Sequence, residues 1–196
     1  MLLSISCWFI GYNGITTWFT SYAANVWNMA LGQASMCLTV GMAGAIISYM
    51  PIGIIASKVG RKRTIMAGVA LLAASFAAAF VVTLLTSEFT PVLYILFALV
   101  GLAWAAINVN SLPMVVEMCR GSDIGKFTGY YYTFSMAAQI VTPVVAGWLI
   151  RSIGYKALFP YSTVFVSIAL LTMSQVKHGD NRPEAKKGIE ALDIED

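Results

Sequence analysis

"GIIASKVGRKRT", residues 53–64, changes character halfway along: an apolar run ends and Lys58, Arg61, Lys62 and Arg63 follow within six positions. An isolated cation at bilayer depth is costly, so such a cluster belongs at a membrane surface, between two hydrophobic segments. On charge alone it is a topology anchor, because connections rich in Lys and Arg stay on the cytoplasmic side.

The surroundings agree. Of 196 residues, 59% are apolar and 11% charged, outside the range of an ordinary water-soluble domain. A helix crossing about 30 Å of hydrocarbon needs about 20 apolar residues. The chain offers six such stretches, near 3–27, 32–57, 64–86, 91–118, 124–150 and 156–176. Runs such as "AGVALLAASFAAAFVVTLL" lack the two-residue alternation of a membrane β-barrel, so the predicted class is an all-α integral membrane protein. The first stretch carries neither a basic leader nor a small-residue cleavage site and is read as a retained span. Two regions result: a bundle over 1–176 and a charged tail over 177–196, expected to be disordered.

Charge sets the expected orientation. Ten of the twelve basic residues fall in the second and fourth connections and the tail, while Arg151 and Lys156 fall on the opposite side. Both termini are therefore expected in the cytoplasm, in a multi-pass protein of the cell membrane. Cys7, Cys37 and Cys119 lack paired spacing, and His178 is the one histidine, so neither a metal site nor a disulfide framework is expected. No cofactor and no nucleic-acid partner is expected; the partners are lipid and a solute.

Spacing around the basic loop adds a resemblance. Gly53, Lys58, Gly60, Arg61 and Lys62 fit the pattern G-x-x-x-[DN]-[RK]-x-G-R-[RK], found between paired helices of major facilitator superfamily transporters. Ser57 stands where that pattern prefers Asp. The stretches 8–27, 107–149 and 176–180 are similar to the second half of bacterial sugar:cation symporters of the sucrose/proton kind. The resemblance implies one six-helix half of a twelve-helix fold. A second half would be covalent or a homodimer mate, and the loop would latch the cytoplasmic side by pairing with acids at helix ends. Glu117 and Asp123 are the acids on that side outside the tail, so Arg61 or Lys62 is expected to pair with Glu117. Asp123 also suits the positive end of the following helix, with Ser122 as its N-cap.

Polar residues inside the spans point to a site. Asn13, Thr16, Thr17 and Thr20 follow helical spacing on the first span, with Tyr12 beside them. Tyr132, Ser135, Gln139 and Thr142 do so on the fifth, and Trp104, Asn108, Asn110 and Ser111 occupy the fourth, where Pro113 frees the carbonyl of Val109. An unpartnered amide in hydrocarbon costs about 1–3 kcal/mol, so these groups must face protein or water. Three striped helices imply a shared wet cavity. Tyr12, Asn13, Thr16, Thr17, Asn108, Asn110, Tyr132 and Gln139 are the expected solute contacts. Small residues elsewhere, Gly41, Gly44, Ala45 and Ser48 on the second span and Ala70, Ala73, Ala74, Ala77 and Ala78 on the third, are expected to serve helix contact.

Amides, hydroxyls and aromatic rings without a central charge suit a neutral polyhydroxylated solute, a sugar above all. The resemblance implies alternating access with a proton as coupling ion. No Asp, Glu or His lies at the centre of a predicted span, so the titratable group is expected in the other half, with Glu117 as the alternative. An enzyme is not expected, since the spans hold no nucleophile with a base. The rivals are a membrane scaffold or assembly subunit, whose amides serve packing alone, and a pore enclosed by a homodimer.

Overall fold

The computed structural model describes residues 1–86, 88–119 and 121–179. Among them are six long helices: α1 (Leu2–Val26), α2 (Leu31–Val59), α3 (Arg61–Leu85), α4 (Val92–Val116), α5 (Ile124–Ile153) and α6 (Leu158–Ser174). Among the described residues, five segments are long and apolar enough to cross a membrane: α2, α3, α4, α5 and the stretch Tyr155–Ser174, a short 3₁₀ turn running into α6. α1 has the length but is less apolar, because Tyr12, Asn13, Asn25 and its threonines interrupt the run. Most of the tail expected over 177–196 lies outside the described residues.

The expected ends hold within three residues; the largest differences are the start of α3, at Arg61 rather than 64, and the end of α5, at Ile153 rather than 150. The charged run, a connection by its composition, is the first turn of a helix. Gly60 alone makes the turn, at φ 106° and ψ 145°, a conformation open to glycine and strained for other residues. Arg and Lys are good helix formers and reach the interface from the first turn of α3. Ser122 does not cap α5: it lies in a 3₁₀ turn, Gly121–Asp123, and Asp123 takes the N-cap position without a side-chain cap bond.

Neighbours in sequence are mostly not neighbours in space. α4 packs between α2 and α3, α3 continues onto α6, α6 onto α1, and α1 onto α5. Close backbone approach holds α2 to α4: a Cβ placed on Gly101 would fall 2.0 Å from the carbonyl oxygen of Gly41. Without a hydrophobic force between helices in lipid, such approach is the main source of association. Gly41 and Gly44 therefore act as expected. The alanines of α3 divide: Ala70 and Ala74 are exposed, while Ala73 packs against the core and Ala77 and Ala78 are half-buried. Helix α3 meets α4 through Gly68, where a Cβ would come within 2.8 Å of Ala103 and Ala106. Toward the other end the core is aromatic. Tyr22 stands edge-on to Phe159 with centroids 4.9 Å apart, and its hydroxyl lies 2.6 Å from Thr83 Oγ1, which joins α1, α3 and α6.

Candidate functional site

Four contacts fix where the striped helices meet. Tyr12 of α1 stacks flat on Trp104 of α4, with centroids 3.8 Å apart and planes 6° from parallel. Ser111 of α4 shares a 3.0 Å hydrogen bond with the Tyr131 hydroxyl of α5. Ser6 of α1 donates to the carbonyl of Phe134 on α5, and twelve residues later Trp18 Nε1 donates to the carbonyl of Pro143 at 3.1 Å.

Relative heights follow. Above the Ser6–Phe134 contact, Gln139 rises about 7.5 Å and Tyr12 about 9 Å at 1.5 Å per residue, so they stand at nearly one level. Asn108 lies one turn, about 6 Å, from Trp104 toward the end of the bundle that carries the basic loop. Tyr12, Asn13, Asn108, Tyr132 and Gln139 thus occupy a band about 13.5 Å tall. Tyr132 and Gln139 are exposed, while Asn13 and Asn108 are half-buried.

The structure alters the expected lining. Asn110 belongs elsewhere: it is 3% exposed, donates to the carbonyl of Ala106 at 2.9 Å, and lies on the stripe of Ala103, Ala106 and Ile107 that packs on Gly68 of α3. α5 packs mainly on α1, and its stripe divides: Tyr132 and Gln139 stand on the open surface, while Ser135 and Thr142 are buried. A hollow beside these residues, ≈ 300 Å³, lies between α1, α2 and α4. Of the expected set it takes Tyr12 and Thr16, with Ile15, Leu38, Phe97 and Val100 forming apolar walls. Thr17 is exposed.

Most of the amides also reach carbonyls of their own helices: Asn13 Nδ2 to Phe9 at 2.8 Å and Gln139 Nε2 to Ser135 at 3.3 Å. Each amide has a further hydrogen and two acceptor sites beyond that bond. One backbone feature escaped the sequence reading. Pro143, inside α5, removes the N–H that would reach the carbonyl of Gln139, just as Pro113 does for Val109 beside Asn108. Both freed carbonyls fall in the polar band. Counting four residues back from each proline would have found the second one.

At the basic end, Arg61 Nη2 lies 2.9 Å from Glu117 Oε1, tying the start of α3 to the end of α4. Lys62 Nζ takes a different partner, donating to the carbonyls of Ser174, at 3.0 Å, and Val176. A cation on the last carbonyls of α6 complements the negative end of that helix. Lys58 and Asp123 are exposed. Ser57 donates to Ile54 of its own helix. Gly53 faces Val109 with room for a Cβ, which would stand 3.9 Å away, so packing within these six helices does not require glycine there.

Comparison with known proteins bears on the whole chain. The family model described as Major Facilitator Superfamily matches residues 1–193. An uncharacterized MFS-type transporter of Schizosaccharomyces pombe is 29% identical over 127 residues, covering 64% of this chain and 27% of that protein. Among solved structures, the proton:xylose symporter XylE bound to 6-bromo-6-deoxy-D-glucose superposes with a TM-score of 0.74 at 15% identity, covering 91% of this chain and 44% of the symporter. The chain thus spans less than half the length of either relative.

Proposed function

Because this chain belongs to the major facilitator superfamily and is a multi-pass membrane protein, we propose that it forms one six-helix half of a secondary active transporter for a small neutral polar solute. It works by rocking against a second half, covalently joined or a homodimer mate, so that a site between them opens to each side in turn. Sugar is the leading substrate class and the proton the coupling ion. The basic loop and both termini face the cytoplasm, and the plasma membrane is the proposed location.

One observation carries the reading: accessible amides, a phenol and two proline-freed carbonyls share a narrow band of height on α1, α4 and α5. Hydroxyl groups of a sugar can donate to freed carbonyls and accept from amides, while interrupted helices near the midplane are where transporters of this kind expose backbone groups. Asn13, Asn108 and Gln139 supply amides, Tyr12, Thr16, Thr17 and Tyr132 supply hydroxyls or a ring, and Arg61 with Glu117 braces the cytoplasmic end in one of the two states. Among the described residues, α1 to α6 contain no Asp, Glu or His, so the group that carries the proton belongs to the second half.

Uptake of labelled sugars into proteoliposomes tests this. Asn108→Ala and Gln139→Ala should each lower uptake about tenfold, the loss expected when one or two hydrogen bonds to solute vanish, with the melting temperature unchanged. Dissipating the pH gradient should abolish accumulation. The own-helix bonds of Asn13 and Gln139 favour one rival, a scaffold whose amides only pack; it requires lost stability and no saturable uptake in any variant. Conductance without saturation would instead mark a homodimeric pore.

A further inference from the structure

On the side of the bundle away from the polar band lies a second concavity, ≈ 250 Å³, between α2, α3 and α4. Its walls are Ile52, Val59, Ala67, Leu71, Leu102 and Ala106, and at its basic end stands Arg63. Thr64 also borders it, but the Thr64 hydroxyl already donates to the Gly60 carbonyl. Arg63 is therefore the polar group the groove offers. The rest of the basic run is engaged elsewhere, Arg61 by Glu117 and Lys62 by the end of α6. Arg63 is exposed and has no acid within ion-pair distance among the described residues.

Position decides what fits there. Ala106 and Asn108 are two residues apart on α4, about 200° around the helix, so the groove faces away from the solute band and toward lipid. Along α3 it runs from Arg63 to Leu71, about 12 Å of helix, against about 15 Å for one leaflet of hydrocarbon. An apolar trough of that length, starting at the interface with a cation at its mouth, matches one acyl chain below a phosphate. The first turn of α3 has no side-chain cap, and its N–H groups point the positive end of the helix to the same place. Lys58, exposed in the last turn of α2, adds to the local positive field. We propose that this groove binds an anionic phospholipid of the cytoplasmic leaflet, its chain along Ala67 and Leu71 and its phosphate on Arg63. The proposal does not depend on which solute the protein carries.

Native mass spectrometry of the purified full chain, offered phosphatidylglycerol or phosphatidylcholine with identical acyl chains, tests it. The unaltered protein should hold the anionic lipid about fivefold better, the preference expected of one cation at a membrane surface. Arg63→Gln should bring the two lipids to parity. Ala67→Trp, filling the trough from an exposed position, should lower retention of both. Arg151→Gln, at the opposite face, should change neither, and inorganic phosphate should not displace bound lipid. Persistence of the preference in Arg63→Gln, undiminished retention in Ala67→Trp, or displacement by phosphate alone would each overturn the assignment.

Discussion

Asn108 and Asn110 sit two positions apart on one helix and are assigned to different work. A separation of about 200° puts one amide on the open band and the other against α3. Composition and spacing marked both as costly in lipid without saying which neighbour each meets, since the angle between two residues is legible in a sequence but the identity of the packed helix is not. Asn110→Ala should therefore lower the melting temperature slightly, in line with about 0.6 kcal/mol for an average polar contact between membrane helices, and leave uptake intact. Asn108→Ala should do the reverse, read by the same melting and transport assays. The Arg61–Glu117 pair is partly exposed, at 30% and 25%, so its net worth is about 1 kcal/mol or less. Glu117→Gln should barely change stability. If the pair braces one state of the transport cycle, Glu117→Arg should impair uptake and the double variant with Arg61→Glu should restore it; no recovery would separate the ion pair from the function.

Helix by helix, the small residues divide into two kinds. Gly101 lies against the backbone of Gly41, and a methyl group there must push α2 off α4. Gly101→Ala should cost about 1–3 kcal/mol, the usual range for overpacking, seen as a lower melting temperature in detergent. Gly53 has space on its α4 side. Gly53→Ala should keep or raise stability by about 0.5–1 kcal/mol, the gain of alanine over glycine inside a helix. Lost uptake in that stable variant would place the role of the loop glycine in contact with the second half. Number and approximate limits of the helices were readable because hydropathy over 20 residues is a strong signal. The start of α3 was not, because Arg61, Lys62 and Arg63 look like a loop by charge while Gly60 makes the whole turn in one residue. Nor was the hollow beside Tyr12, since it needs Leu38 of α2 to come alongside α1, a pairing that no period within either helix specifies.

For the molecule as a whole, the two helices at the ends of the packed series show the widest apolar surfaces. Ile47 and Met50 of α2 are 76% and 77% exposed, and Ile140 and Val144 of α5 are 74% and 72% exposed. Lipid accommodates such faces, and so does a second six-helix unit. The band of amides, phenols and freed carbonyls is not accommodated by lipid, because every backbone group in hydrocarbon must find a partner. Under the proposed function, its place on the open surface faces a water-filled interface with the second half, where the solute binds.

Aqueous thiol labelling at position 139 addresses that claim most directly. In a Cys119→Ser background, where Cys7 and Cys37 remain buried, Gln139→Cys should react with a membrane-impermeant thiosulfonate, and a saturating transported sugar should slow the reaction about tenfold. Trp148→Cys, on the apolar face of α5, should show no such protection. A Gln139→Cys protein that stays unreactive from both sides of the membrane, or reacts equally fast with and without every sugar that is taken up, contradicts a solute site on this band.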